Sequence, residues 1–441
     1  MTQRPPAAGA VLLGGSLTAI SASRSLGGRR IDVTALHDGV SNSVVGYSKT
    51  CGRWVNFDKD GLQEAWLEWL VAKSEPSVIL PCCDSGVDLV ARHRTELMRA
   101  GHQPVEAADD VLVAMLSKER THELALEAGV EVPFSTAVAD VYELAYALEH
   151  IPFPCAAKPV QPNRFQEMLR LHPELPSDYA KLKGVRLNDA AHARSLLGPL
   201  VERGIPMLLT EMVQGPEAAF CSYYTYIDSN GNPLFHFTKR KLRQYPIHFG
   251  GGTYHKTEWV PDAAEAGLRF FERIGLRGIG NVEFKRDSRD GRLKLIECNP
   301  RITASDNLIR AAGVDLPYIA YLAATGASVG EALPKGEMHG FSEGLWQWLP
   351  ADDVRAAFAY RRTGELTLQQ WGKTLLHAQR FPVFDVADPL PALVGARRTW
   401  RDRRRRLSAR LGEHGLPGAD HEGQERDLVI ATGMGSGEVG R

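Results

Sequence analysis

Residues 280–301, GNVEFKRDSRDGRLKLIECNPR, restrict the fold more than any other stretch of the chain. Two apolar runs flank DSRDG, a cluster of turn-forming residues, so the segment reads as an antiparallel hairpin. Charge interrupts both runs. With the turn centred near Arg289-Asp290, Glu283 and Glu297 fall opposite each other, and a register shift of two keeps them on one face. Glu297, Asn299 and Arg301 recur at every second residue, so a continuing strand puts all three on one face. Two facing carboxylates repel and destabilise a sheet; a cation between them removes that cost. Oxygen donors from Glu283, Glu297 and Asn299 suit Mg²⁺ or Mn²⁺ rather than zinc, and such ions bridge protein carboxylates to phosphate oxygens. The alternative is a solvated hairpin face on which Arg301 pairs with Glu297.

Other segments decide between these readings. Lys118 stands at a helix start in SKERTHELALEAGVEVP, where free backbone N–H groups favour anions. Lys158 ends the short strand CAAKPV among small residues, so its stem can be buried and its ammonium aimed at a phosphate. Glu211, Val213 and Glu217 follow the apolar run PMLLTE; carboxylates flanking a backbone turn can bond an adenine amine and ribose hydroxyls. Lys239, Lys241 and Arg243 alternate as a stripe of three cations on the second strand of another hairpin, turned by DSNGN. HFGGGTY then supplies a flexible loop, a candidate lid. A solvated face accounts for any one of these sets. It does not account for cations on one hairpin and carboxylates on the next.

A chain of 441 residues exceeds what one core usually spans. Residues 1–105 alternate buried strands (AVLLGG, IDVTALHD, SVILPCCD) with helical patterns, as α/β units do. Gly14-Gly15 lacks the full dinucleotide fingerprint and reads as a tight strand-to-helix turn in preference to a nucleotide site. Residues 106–330 carry the hairpins and read as α+β; residues 331–412 read as mainly helical; the glycine-rich tail, 413–441, reads as disordered. The formal net charge of −1 argues against a general nucleic-acid binder. Seven arginines and Trp400 at 397–406 are a local exception, read as a solvated helix, an anionic-partner contact or a nucleic-acid patch. Six scattered cysteines suit reduced thiols in a cytosol. No secretory signal or membrane-spanning run is expected, so the expected location is cytoplasmic.

On these blocks the chain resembles the ATP-grasp superfamily of carboxylate–amine ligases, in its D-aspartate-ligase-like and carbamoyl-phosphate-synthetase-like branch. The resemblance covers about residues 1–400 and is most specific in the E…E-x-N-x-R pattern of the second hairpin. It implies a Rossmann-like domain over 1–105, an ATP-grasp domain of two α+β lobes over 106–330 and a helical region after it. It implies ATP and Mg²⁺ (or Mn²⁺) as cofactors. Lys118, Lys158 and Lys183 would contact ATP, Glu211 and Val213 would frame the adenine, and Glu217 would take the ribose. Glu283, Glu297 and Asn299 would carry the metal; Arg301, with Lys241 and Arg243, would serve catalysis. One departure concerns residues 160–182, which hold no glycine where the family has a glycine-rich phosphate loop. The implied partners are a small carboxylate and an amine, amino acids or peptides among them, with no nucleic acid, no membrane and a homodimer left open. The competing readings are a carboligase working through carboxyphosphate and a non-catalytic ATP-binding regulator.

Overall fold

The computed structural model describes residues 8–15, 17–37, 43–58, 61–105, 107–160, 162–182 and 184–413. Lys183 and the tail beyond Glu413 lie outside the described residues, and the expectations for them with it.

Three sheets organise the chain. The first is a parallel sheet of five strands, in spatial order Arg53–Val55, Val33–Leu36, Gly9–Leu13, Ser77–Pro81, Gln103–Pro104. Apart from Gly9 its central strands are buried, which explains why they read as continuous apolar runs. Gly14 and Gly15 sit at φ 67° and 77°, and a Cβ on Gly15 would overlap Thr18 Oγ1 and the Cys82 carbonyl. The pair is therefore a tight turn into the Leu17–Gly27 helix.

The second sheet has four antiparallel strands, ordered Ser135–Val138, Met207–Glu211, Cys155–Pro159, Val185–Leu187. It has its own core, in which Leu144, Ala157, Phe165, Leu197 and Leu209 meet. The glycine-free segment after Lys158 forms the Pro162–Leu171 helix and a short 3₁₀ turn at Ser177–Lys181 on this lobe.

The third sheet has seven strands: Leu293–Cys298, Gly278–Arg286, Phe220–Ile227, Phe237–Tyr245, Gly251–Thr257, Trp346–Trp348 and Gln379–Arg380. Both expected hairpins are present. The last two strands come from the region expected to be mainly helical; at three and two residues they are too short to carry a readable alternation. The Pro261–Ile274 helix packs Phe270 and Phe271 beneath this sheet with Phe284 and Leu295. Tyr224, Tyr226 and Phe237 join Leu12, Val78 and the Leu316–Ala324 helix in one continuous core, which welds the parallel sheet to the seven-stranded sheet.

The three glycines at 250–252 do not form a free loop. The strand begins at Gly251, a Cβ on Gly250 would collide with the Tyr245 carbonyl, and one on Gly252 would enter the His255 ring. Their small size permits a close turn against the neighbouring strand, which replaces the expectation of a flexible lid. All six cysteines are free thiols. No helix among the described residues is long and apolar enough to cross a membrane.

Candidate active site

A cavity of about 810 Å³ lies between the four-stranded and seven-stranded sheets. From the small lobe it is lined by Lys158, Thr210, Glu211 and Val213, from the Lys118–Glu127 helix by Lys118 and His122, and from the large sheet by Lys241, Glu283, Lys285 and Glu297.

The floor follows from strand register. Glu283 and Glu297 are direct cross-strand partners, as the turn-centred hairpin requires. A bulge makes this possible. Phe284 pairs with Leu295 while Glu283 pairs with Glu297, so Ile296 is an extra residue. In a regular strand Leu293, Leu295 and Glu297 share a face, and Glu297 would follow the leucines into the core. The extra residue switches the parity: Leu295 stays buried against Phe284, and both Ile296 and Glu297 reach the cavity.

The next strands complete the floor. Lys239, Ser222 and Glu283 are in register across three strands, and so are Lys241, Phe220 and Lys285. The cation hairpin and the carboxylate hairpin are thereby brought side by side. Lys241 Nζ donates to Glu283 Oε1 at 2.6 Å, and lies 3.8 Å from the centre of the Phe220 ring. Lys239 is buried against His255 Nδ1 at 3.2 Å, and burial lowers its ammonium to about 8. Burial opposes charge on Glu297, but Lys118, Lys241, the Asn299 amide and Arg301 outweigh it and hold the carboxyl below its ordinary range.

Lys158 faces the opposite balance. Burial, and then repulsion from Lys118, push its ammonium down to about 7. It has a tendency to lose its proton that a phosphate oxygen would reverse. Burial likewise carries His122 down to about 4, so it is neutral at physiological pH.

At the other end, Glu211 accepts from Lys294 at 3.0 Å and from the Phe134 amide at 3.0 Å, and pairs with Arg289. Glu217 accepts from Gln244 at 2.7 Å and from His248 Nδ1 at 2.9 Å; His248 Nε2 meets Glu365 at 3.2 Å. Burial works against charge on His248, but the two carboxylates raise it to about 9. The unfolded histidine titrates near 6.5. This contribution to stability is therefore full below pH 6.5 and lost as pH rises through about 9. His248→Gln is expected to flatten the fall in melting temperature between pH 6.5 and 9; an unchanged slope there would remove the triad from the account.

Three expected site residues, Arg243, Asn299 and Arg301, are placed otherwise and do not line the cavity. Arg243 was expected to extend the cation stripe, but the strand is irregular between Lys241 and Arg243. The Arg243 guanidinium is buried in a two-pronged pair with Asp353, at 2.7 and 2.8 Å, and stacks on Tyr254. It is a structural cation rather than part of the cavity wall. Arg301 does not continue the Glu297 face either. The strand ends at Cys298, and the chain turns at Pro300, with the Arg301 amide donating to the Asn299 carbonyl. Its guanidinium bonds Asn299 Oδ1 at 3.0 Å and Asp84 Oδ1 at 2.6 Å, reaching across to the parallel-sheet region. Asn299 donates to Glu297 Oε1 at 3.2 Å, so the order Glu297–Asn299–Arg301 survives as a hydrogen-bonded chain.

Lys285, His248, Gln244, Asp352 and Arg355 also line the cavity, and none was expected. Lys285 was legible: it lies two residues beyond Glu283 on the same strand. Gln244 follows Arg243 on the Phe237–Tyr245 strand, His248 comes from the loop after it, and Asp352 and Arg355 come from the Pro350–Arg362 helix, distant in sequence.

Comparison with known proteins supports the same reading. The model of a family described as ATP-grasp in the biosynthetic pathway with Ter operon matches residues 206–339. The large chain of carbamoyl phosphate synthase from Gemmatimonas aurantiaca is 24% identical over 243 residues, 53% of this chain and 20% of that one. The chain thus spans about a fifth of this curated relative's length. Among solved structures, N5-carboxyaminoimidazole synthetase from Staphylococcus aureus, complexed with ADP, aligns with a TM-score of 0.54 at 15% identity, over 74% of this chain and 80% of that one. The biotin carboxylase domain of 2-oxoglutarate carboxylase from Hydrogenobacter thermophilus, with MgADP and bicarbonate, aligns with a TM-score of 0.54 at 16% identity, over 76% and 73%. Two lobes enclosing a cavity and these shared architectures show that the chain has the ATP-grasp fold, and the family match falls on residues 206–339, which include the floor strands.

Proposed function

We propose that this protein is an ATP-dependent ligase that joins a carboxylate to an amine through an acyl phosphate, releasing ADP and phosphate. The observation that carries this reading is the Glu283–Glu297 pair on the floor of a cavity that Lys118 and Lys158 also line. Facing carboxylates and a facing pair of ammonium groups are each unfavourable alone. Between them they fit a metal-bound polyphosphate.

The donor set fits the metal that such chemistry uses. Glu283 and Glu297 are hard oxygen donors on the cavity floor, and Asn299 Oδ1, which accepts from Arg301, is a third beside them. That suits Mg²⁺, whose shell is completed by phosphate and water. When bound, Mg²⁺ supplies neutralisation of the triphosphate and of charge developing on the transferred group.

The chain's own residues do the rest. A substrate carboxylate and the γ-phosphate repel by about 4 kcal/mol at ~4 Å and an effective dielectric near 20. Lys158 offsets that repulsion from the small lobe, Lys118 from the helix start beside Glu297, and Lys241 from the floor. Glu211 and Val213 stand at the adenine end. Glu217, held in one orientation by Gln244 and His248, is set to accept from ribose hydroxyls. In the first step the carboxylate oxygen bonds the γ-phosphorus and ADP leaves. In the second an amine attacks the acyl carbon, phosphate leaves, the amide forms and the amine loses a proton. Enclosure between two lobes keeps water from the acyl phosphate. A screen of amino acids, short peptides and small carboxylates for ADP release tests the proposal. AMP release would overturn it, and ADP release with bicarbonate alone would favour carboxyphosphate chemistry.

Lys158 gives a sharper test of nucleotide binding. Burial and Lys118 hold this ammonium near 7, whereas bound phosphate favours the charged form. Binding above pH 7 should therefore take up a proton, and nucleotide affinity should fall as pH rises past 7. Lys158→Ala is expected to weaken binding of a non-hydrolysable ATP analogue by about tenfold and to abolish the uptake. Calorimetry in two buffers of different ionisation enthalpy measures both. Unchanged affinity would return Lys158 to a bystander.

A further inference from the structure

The helix Leu390–Glu413 closes the described chain, and the proposed reaction makes no use of it. One side is anchored. Arg398 donates to the Ser43 carbonyl at 2.9 Å and to Tyr47 Oη at 3.1 Å, and Gly395 lies against Val44. The other side is exposed among the described residues. Leu393 and Trp400 are 62% and 60% exposed, and a seven-residue spacing puts them on one face. In the sequence Leu407 follows at the same spacing. Val386 and Leu390, just before this face, are also exposed. Arg397, Arg401 and Arg404 are exposed beside the apolar line, with Arg404 4.8 Å from the Trp400 ring. Residues 397–406 hold seven arginines against one aspartate, Asp402, in a chain whose net charge is −1.

We propose that this helix docks the protein onto anionic lipid surfaces. An apolar line bordered by cations suits a bilayer interface, where leucine and tryptophan enter the headgroup boundary and guanidinium groups meet lipid phosphates. Arginine serves that purpose well, because its planar fork engages two phosphate oxygens. A second copy of this chain suits the face less well. Symmetric pairing along the Leu393–Trp400 line would set the arginine clusters against each other. A nucleic-acid backbone satisfies the arginines but leaves the exposed leucine and valine side chains without a role. The expectation of no membrane partner rested on the lack of a spanning segment, and a helix lying on the surface needs none.

The test is co-sedimentation of the full chain with phosphatidylcholine vesicles, with and without phosphatidylglycerol. Binding is expected only with the anionic lipid, and should fall roughly tenfold or more in Arg397→Glu/Arg404→Glu. Leu393→Gln/Trp400→Gln should lose the binding while leaving the melting temperature unchanged. Since both pairs are exposed, folding survives either change. Three results would overturn the proposal: no binding to anionic vesicles, binding untouched by Leu393→Gln/Trp400→Gln, or tighter binding to duplex DNA than to the vesicles.

Discussion

Glu297→Gln is expected to lower ADP formation by about a hundred- to a thousandfold while leaving the fold intact. The substitution is nearly isosteric, and the Asn299 amide can still donate to the remaining carbonyl oxygen, as it now donates to Glu297 Oε1. What disappears is one of the two facing charges on the cavity floor. A dication held by two carboxylates and an amide loses half its protein countercharge, and Mg²⁺ tolerates poor donor sets badly. A second consequence gives an independent readout. Glu297 is the charge that favours the protonated form of Lys158 against burial and Lys118. Without it, the proton uptake that accompanies nucleotide binding should begin at lower pH. Near-normal ADP formation at saturating Mg²⁺ would show that the floor carboxylates do not carry the metal. An unaltered melting temperature is the control.

Much of this floor was legible because hairpins advertise themselves. Turn residues at DSRDG and alternating apolar positions set the register closely enough to pair Glu283 with Glu297. The bulge at Ile296 was not legible. Alternation alone assigns Glu297 to the face of Leu293 and Leu295, and only the paired strand reveals that one residue is extra. Pro300 ends the alternation that had carried Asn299 and Arg301 onto one face. Arg243 shows a different limit. Strict alternation put it on the stripe, but the strand is irregular after Lys241, and its partner, Asp353, lies 110 residues away on a helix whose docking no local pattern encodes. His248 is similar: a loop histidine gains meaning only when Glu217 and Glu365 close on it from two sides. The glycines at 250–252 looked like a lid because glycine permits flexibility. It equally permits close approach, and the contacts at Tyr245 and His255 show which property is used.

Arg301→Lys is expected to keep nucleotide binding and lose on the order of a hundredfold in kcat. The guanidinium now occupies a junction. It bonds Asp84, at the start of the Asp84–Arg99 helix, and Asn299, which in turn bonds Glu297. Burial alone would disfavour its charge, but Asp84 outweighs that and raises its pKa. The cation is therefore retained at every working pH. Asp84 is largely exposed and can release the guanidinium when an anion arrives. A transferring phosphoryl group spreads charge over three oxygens, and a metal held by Glu283 and Glu297 covers one side of it. A planar fork can hold Asn299 and still face two of those oxygens; an ammonium meets its partners as a point charge and cannot do both. Lysine preserves the charge, so ground-state attraction for the triphosphate persists and only directed stabilisation of the transition state is lost. Steady-state kinetics separate the two. A fall in kcat and in kcat/KM together supports the transition-state role, whereas a raised KM for ATP with kcat spared would make Arg301 a ground-state binder. Asp84→Asn sharpens the assignment. If Asp84 only parks the guanidinium, releasing it should leave kcat unchanged or raise it slightly, and a loss equal to that of Arg301→Lys would make the pair a structural strut between the parallel-sheet region and the active site.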